Sequence, residues 1–238
     1  MLIPLTRAKF EELLPAVATA DQFRYCWGKP ADFLRRLLIS VVGVVIAFIL
    51  KFLLPPGFQI LEFMLGIVTG LYWLWSPAYW ASVRNRECRR YKYCGFWRGE
   101  VIDIFITEDL IGTEETVNKQ GELVIVENRE RRLNLELADE SDFTARLHVP
   151  LKREHKVIRK GDMAEMLLLS NRDDLSRISK ITDVYLPDHD LWVSDYPYLR
   201  RDAFLEVRQQ LQREWQQQQQ RLRKPTKRRS PPRRRASY

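Results

Sequence analysis

The sequence contains few cysteines and few histidines, and neither type is clustered. Cys26, Cys88 and Cys94 are the three cysteines in 238 residues, and an odd number argues against a disulfide framework. Cys88 and Cys94 are six positions apart without a nearby histidine, which is wider than the spacing of paired zinc ligands. We therefore expect free thiols in a reducing compartment, no bound metal and no cofactor.

Common catalytic motifs are also missing. The chain has no G-x-S-x-G, no P-loop, no G-x-G-x-x-G and no H-E-x-x-H. His148, His155 and His189 are widely spaced, and a solvated strand position explains His148 better than a role as a base. The sequence therefore offers no candidate catalytic residue and predicts a protein that is not an enzyme.

The formal net charge of +8 is unevenly distributed along the chain. Residues 1–98 carry a net +7, residues 99–220 a net −8, and residues 221–238 a net +9 without any acidic group. This division excludes a uniformly basic protein that binds nucleic acid along its whole length.

Two long stretches within the first 80 residues are almost without charge. They are residues 37–54, with Lys51 as their single charge, and residues 58–80, with Glu62. About 20 helical residues cross a hydrocarbon core of about 30 Å. A Pro-Pro-Gly turn at 55–57 separates the stretches, so the sequence predicts a two-helix transmembrane hairpin, with no signal peptide before it.

Small residues and two opposite charges predict how these helices would pack. Small side chains allow helices to approach closely in a membrane. A lone cation and a lone anion near the turn favour an intramembrane ion pair, with a proton or ion site as the alternative. The predicted pairs are Gly43 with Gly70, Ala47 with Gly66, and Lys51 with Glu62.

Aromatic and basic residues follow the second stretch. Aromatic rings favour the membrane interface, and basic residues are retained on the cytoplasmic side. We therefore expect residues 81–98 to form a basic juxtamembrane collar, with both termini in the cytoplasm or on the equivalent side of an internal membrane. The predicted interface anchors are Trp73, Trp75, Tyr79, Trp80, Arg84, Arg86, Arg89 and Arg90.

Residues 1–36 precede the first stretch and include a short amphipathic segment. Thr6 can cap a helix whose apolar side is formed by Phe10, Leu13 and Leu14. Two placements are open for this helix. It can lie on the membrane as an interfacial anchor, or it can pack on the folded domain of the same protein.

Residues 99–198 show the two-residue period of β-strands. Glycines at 112, 121 and 161 are the expected turns. Six to eight short strands predict a small β-barrel or sandwich at the cytoplasmic face. The segments with strand character are residues 102–106, 123–126, 133–137, 147–151, 166–169 and 181–186.

One segment near the end of this domain is the candidate partner surface. It combines aromatic residues with arginine, the residue types that anchor protein interfaces. The alternative is that Trp192 and Tyr196 close the core of the β-domain. The candidate residues are Trp192, Tyr196, Tyr198, Arg200 and Arg201.

The C-terminal part is predicted to be a helix over residues 199–223, followed by a disordered basic tail over residues 224–238. Anionic lipid headgroups are the favoured partner of the tail and of the collar, because the predicted membrane is close. Nucleic acid, including ribosomal RNA, and the acidic middle domain are the alternatives.

Several motifs resemble a family of small, largely uncharacterised cyanobacterial and plastid membrane proteins, some of which are labelled phosphate ABC-transporter permease. The resemblance covers about residues 1–205. It implies a photosynthetic host and a thylakoid or plasma membrane, and it transfers no catalytic residue. The motifs are LYWLW at 71–75, CRRYKY at 88–93, FWRG at 96–99, GELVIVEN at 121–128 and WVSDYP at 192–197.

The sequence as a whole predicts an α+β membrane protein. We expect a non-catalytic, membrane-anchored adaptor, or an assembly or maintenance factor, that contacts a larger membrane protein complex. An accessory subunit of a membrane transporter is the first alternative. A membrane-bound enzyme with an unrecognised site is the second.

Overall fold

The computed structural model describes residues 1–53, 55, 57–117, 123–141 and 143–223, with side chains described as far as residue 217. The predicted basic tail over 224–238 and the predicted turn at Gly121 lie outside these residues. The chain divides into two compact units, Met1–Arg200 and Arg201–Tyr238.

Five helices precede most of the sheet. They follow a short first strand, β1, at Leu2–Leu5. The helices are α1 at Arg7–Leu13, α2 at Ala20–Trp27, α3 at Pro30–Leu53, α4 at Gln59–Gly70 and α5 at Tyr72–Arg89.

Helix α1 packs on the protein itself. Its apolar residues Phe10 and Leu13, together with the following Leu14, are at most 1% exposed. The alternative of an interfacial anchor is therefore wrong, because no apolar face is left for lipid. Thr6 occupies the N-cap position, but its side chain makes no capping hydrogen bond.

Helix α3 is the longest apolar helix. Pro30 can open it because the first turn needs no backbone N–H donor at that position, and the Asp32 carboxylate accepts a hydrogen bond from the Lys29 N–H at 2.9 Å. Among the described residues, α3 is the single helix that alone has the length and composition to cross a membrane. Only 11% of its apolar window is buried.

The predicted two-helix transmembrane hairpin is wrong. Residues 58–80 do not form one helix, because the chain bends by 74° between α4 and α5. The bend lies at Leu71, after Gly70 has ended α4. Length and apolar composition, on which the prediction depended, do not reveal such a break.

Two side chains satisfy the backbone at this bend. The Trp75 indole N–H donates to the carbonyl of Val68 at 2.9 Å, and the Ser40 hydroxyl accepts from the Trp73 N–H at 3.1 Å. Helix ends leave such backbone groups without intrahelical partners. The bend is therefore a stabilised part of the fold.

Seven strands form one antiparallel sheet. Its order is β4-β3-β2-β5-β6-β7, and β1 pairs with the first part of β2. Strands β4 and β7 are the two edges of one open sheet. A barrel would pair its first and last strands, and a sandwich would have two sheets. The predicted small barrel or sandwich is therefore wrong. The remaining strands are β2 at Tyr93–Val117, β3 at Leu123–Ala138, β4 at Thr144–Pro150, β5 at Met163–Ser170, β6 at Ile178–Leu186 and β7 at Leu191–Val193.

The difference comes from the length of the central strands. Gly112, a predicted turn, lies inside β2 at a bulge in the pairing with β3. Residues 123–126 and 133–137, which look like two strands, belong to β3 alone. The charged residues between them remain in the ladder with β2, so no turn interrupts the strand. The turn predicted at Gly161 is confirmed, since its φ is +90°.

The sheet's core lies around the base of β2 and β3. Trp97 is completely buried, and its indole N–H donates to the Asp139 carboxylate at 2.9 Å. A Cβ at Gly99 would lie 2.3 Å from both the Ala138 carbonyl and the Trp97 ring, so this close approach requires glycine. The surrounding core residues include Val101, Leu133, Leu135, Leu137, Met166, Leu168, Val184 and Leu186.

The second unit begins with helix α6 at Arg201–Arg223. Its apolar residues Phe204, Val207, Leu211 and Trp215 recur at intervals of three and four, which places them on one stripe of the helix.

Candidate partner-binding site

The two longest strands extend beyond their neighbours. Strand β5 pairs with β2 only over Tyr93–Glu100, and β4 pairs with β3 only over Arg132–Ala138. Within the described part of the sheet, residues 108–117 and 123–131 therefore pair with each other, and the Arg131 carbonyl also accepts a hydrogen bond from the Leu151 N–H at 2.9 Å. We call this two-stranded ribbon the β-arm.

The β-arm exposes apolar side chains on both faces. Because successive strand residues point to opposite faces, the consecutive residues 123–126 place apolar groups on each side. Continuous apolar runs are typical of strands whose two faces are covered. The exposed fractions are 56% for Leu110, 58% for Ile111, 66% for Val117, 69% for Leu123, 40% for Val124, 63% for Ile125 and 42% for Val126.

Charged residues frame this apolar surface. Arg131 forms an ion pair with Glu108 across the ribbon at 3.3 Å, and Arg129 contacts Glu127 at 2.8 Å. Nearer the tip, Glu114 stands opposite Val126 and Glu115 opposite Ile125. The described outer part of the β-arm therefore combines apolar side chains with acidic ones. Such a surface suits a partner with an apolar strip and basic residues beside it.

The ribbon also has free backbone edges. A row of unpaired N–H and C=O groups along an exposed strand is a template for another strand. A two-stranded ribbon without further support is marginally stable in water. These properties make the β-arm the best candidate binding site in the described part of the chain.

The sequence prediction had placed the partner surface elsewhere. It is wrong for Tyr196, which is 1% exposed. The Tyr196 ring lies 5.1 Å from the Tyr25 ring, and its hydroxyl donates to the Ala81 carbonyl at 3.5 Å. Trp192 and Tyr198 are half-buried, whereas Arg200 and Arg201 are exposed. Tyr196 thus joins α2 and α5 to the sheet and is not available to a partner.

A buried amide pair strengthens the same junction. The Gln22 and Asn85 side chains are completely buried and exchange two hydrogen bonds of 3.0 and 2.7 Å. The Gln22 amide also donates to the Pro197 carbonyl at 2.9 Å. Sequence reasoning missed this pair because single amides carry no periodic signal.

Lys180 is part of this junction and keeps its charge. Its ammonium donates to the Tyr198 hydroxyl at 3.0 Å. Burial opposes the charged form, but the contacts with Tyr198 and the Cys88 thiol outweigh it and raise the pKa of Lys180. Burial also raises the pKa of Cys88. A protonated lysine beside a protonated thiol supplies neither a base nor a nucleophile.

The predicted interface anchors fall into two groups. Trp75, Tyr79 and Trp80 are 38–55% exposed along α5. Trp73 instead packs against Phe33, with ring centroids 5.8 Å apart. The first group is available to a membrane interface, whereas Trp73 contributes to an internal aromatic cluster.

The basic anchors divide in the same way. The Arg84 guanidinium lies over the Tyr196 ring at 5.0 Å, and Arg89 donates to the Leu14 carbonyl at 2.7 Å. Arg86 and Arg90 are exposed. Arg84 and Arg89 therefore stabilise the junction, although Arg84 remains partly exposed, whereas the described contacts leave Arg86 and Arg90 exposed to solvent.

Gly43 and Gly70 lie where α3 and α4 meet, whereas Gly66 does not. The predicted close approach of Ala47 to Gly66 is therefore not formed. A Cβ at Gly43 would lie 2.7 Å from Thr69, and one at Gly70 would lie 3.3 Å from Val44, whereas one at Gly66 would meet no atom within 4 Å. Ala47 is buried.

The predicted charge pair has a different geometry. Lys51 and Glu62 both line a cleft between the two helices. Both belong to the described residues, and they form no ion pair within 4.0 Å of each other. The predicted intramembrane ion pair is therefore not formed here.

The described side chains form neither a metal site nor a recognisable catalytic group. Among the described residues, no group of three or more His, Cys, Asp or Glu could hold a metal ion. His148 Nε2 lies 2.8 Å from an Asp109 oxygen and Nδ1 lies 2.7 Å from Asn134 Oδ1. These contacts lie at the base of the β-arm, on the surface of the sheet.

Comparison with known proteins adds a family. The model of a family of unknown function, DUF8619, matches residues 3–216. The match includes helices α1–α5, all of the sheet except the first residue of β1, and most of α6. Comparison with curated proteins and with solved structures gives no match.

Proposed function

The chain belongs to the family of unknown function DUF8619, and we propose that it is a non-catalytic membrane-anchored adaptor that holds another protein through its β-arm. One observation carries this proposal. The exposed large apolar side chains are concentrated in two places, helices α3–α5 and the β-arm with its base. The side chains of the sheet core are instead buried.

The helical region supports the membrane anchor. Leu38, Phe48 and Phe52 of α3 are 60–75% exposed. Water-soluble monomers rarely expose large contiguous apolar patches. In this proposal α3 lies in the bilayer, and the bent α4–α5 pair brings the chain back to the side where it began, because β1 before α3 pairs with β2 after α5.

The exposed basic residues supply an orientation. Arg86 and Arg90 at the end of α5 would stay on the cytoplasmic side, together with the sheet. Anionic headgroups would contact these residues and the basic tail. The resemblance to cyanobacterial and plastid proteins supports a thylakoid or plasma membrane as the location.

The β-arm supports an adaptor over a transporter subunit or an enzyme. At about 3.3 Å per residue, its ten residues in β2 reach about 30 Å beyond Thr107. Such a ribbon encloses no translocation path and forms no deep pocket. It presents strand edges and apolar side chains to another protein, which is a recurrent mode of recognition. In this proposal the partner belongs to a larger membrane complex.

The test is the size of the assembly in mild detergent. We expect the full chain to migrate on a native gel with a larger complex. The Leu123→Lys, Ile125→Lys double variant is expected to leave that complex, because two charges would enter its apolar contact and repel a basic partner. The variant should remain in the membrane fraction.

A matched control is the Val17→Lys, Val157→Lys double variant. Its two sites are 74% and 48% exposed but lie outside the β-arm. It should co-migrate like the unchanged chain. If the unchanged chain runs alone on the native gel, the adaptor function is ruled out. If the β-arm variant still co-migrates with the complex, the contact lies on another surface.

A further inference from the structure

A cleft of about 710 Å³ lies between α3 and α4. The two helices meet closely at one end, where Gly43 faces Thr69 and Gly70 faces Val44. Further along, Gly66 has no neighbour within 4 Å of the position of a Cβ. The missing side chain at Gly66 and the small one at Ala47 leave the space open.

The cleft is apolar along its length and charged at one end. Val44, Phe48 and Phe63 supply its apolar walls. Lys51, Gln59 and Glu62 line its polar end, next to Pro55. The volume is in the range of pockets that bind small ligands.

The two charged residues at the polar end of the cleft, Lys51 and Glu62, do not form an ion pair with each other. Among the described residues, Lys51 and Glu62 have no ion-pair partner within 4.0 Å, although both face the cleft. A cation and an anion at the mouth of an apolar groove complement a ligand that carries both charges on an apolar chain. Gln59 adds an amide that can donate and accept hydrogen bonds there.

We propose that this cleft binds one acyl chain of a phospholipid whose headgroup carries a phosphate and a primary ammonium. The phosphate contacts Lys51, the ammonium donates to the Glu62 carboxylate, and the chain runs toward Val44. A primary ammonium suits a carboxylate because it has three N–H donors. This inference rests on the membrane anchor of the proposed function.

The headgroup assignment can be tested by competition. The full chain is purified from vesicles of equal parts phosphatidylethanolamine, phosphatidylcholine and phosphatidylglycerol, and its retained lipid is measured by native mass spectrometry. We expect phosphatidylethanolamine to be retained preferentially. Glu62→Gln is expected to reduce that retention by about tenfold, which corresponds to the loss of one charge-assisted hydrogen bond.

Two further variants separate the possible outcomes. Gly66→Leu fills the cleft and should remove the bound lipid while the protein stays in the membrane. Glu87→Gln makes the same charge change outside the cleft and should have no effect. Equal retention of the three lipids, or a preference for either of the other two, would overturn the assignment.

Failure of the proposed function would look different. If the unchanged chain is absent from the membrane fraction, both the proposed membrane anchor and the proposed lipid site are wrong. If the chain is in the membrane but retains no lipid in the cleft, only the lipid site is wrong.

Discussion

The helices α3–α5 and the β-arm both expose apolar side chains, but they do so with different backbone geometry. Away from the ends of α3, the backbone N–H and C=O groups bond within the helix, so only side chains are left for the surroundings. That arrangement suits hydrocarbon, which offers no hydrogen-bond partners. The β-arm also leaves strand edges unpaired, which suits a protein neighbour.

The difference shows that exposed apolar area alone does not identify a partner. Phe52 in α3 and Leu123 in the β-arm are exposed to similar extents, 75% and 69%. Their surroundings differ in backbone hydrogen bonding and in nearby charge. These two properties assign one surface to lipid and the other to protein.

The largest expected effect follows from charges placed in the middle of α3. Each lysine at the centre of a membrane helix costs about 2.5–3.5 kcal/mol. We expect Val41→Lys with Val45→Lys to abolish stable insertion, so that alkaline extraction releases the protein. The Leu123→Lys, Ile125→Lys variant should stay in the pellet. If alkaline extraction releases both variants, or neither, then α3 and the β-arm do not differ in membrane contact as proposed.

A second contrast lies within strand β3. Leu135 is completely buried at its base, whereas Ile125 in the β-arm is 63% exposed. We expect Leu135→Ala to lower the free energy of unfolding by about 2–5 kcal/mol. The same truncation at Ile125 should cost less than about 1 kcal/mol. Guanidinium denaturation monitored by tryptophan fluorescence measures both. Equal costs would mean that the β-arm is already covered in the isolated protein.

The smallest expected effect is a pH dependence that comes from His155, in a short helical turn at Arg153–Val157 between β4 and β5. Burial, with the Lys152 ammonium, lowers the pKa of His155 from its ordinary 6.5. The unfolded chain therefore takes up a proton first, and stability is lost as the pH falls below about 6.5 toward the folded pKa. The denaturation midpoint should drop between pH 7.5 and 5.5, and His155→Gln should flatten that drop. An equal drop in the variant would assign it to other groups.

The period-two pattern located most of the sheet but not its strand lengths. Alternating residues such as Leu133, Leu135 and Leu137 mark a strand because one face must be buried. The charged residues between 126 and 133 show no such pattern, yet cross-strand pairing with β2 keeps them extended. Strand ends depend on partners that are distant in sequence, and a local pattern does not contain them.

The candidate site was harder to predict than the fold. Aromatic and arginine content pointed to Tyr196, but those side chains are used inside the protein, where Arg84 covers the ring. The helix break at Leu71 was missed because it depends on the contacts of Ser40 and Trp75. The run at 123–126 was noted as a strand, but its exposure depends on β4 ending at Pro150.

Strand β2 also determines how a mechanical load would pass through the molecule. It begins at Tyr93, four residues after α5 ends at Arg89, and runs without interruption to Val117 in the β-arm. Its 25 residues have a contour length of about 80 Å at 3.3 Å each, with bulges after Val101 and Leu110. Because the ladder bonds are perpendicular to the strand, tension along β2 loads many of them together. A pull on the β-arm would therefore reach α5 along a single covalent segment that resists stretching.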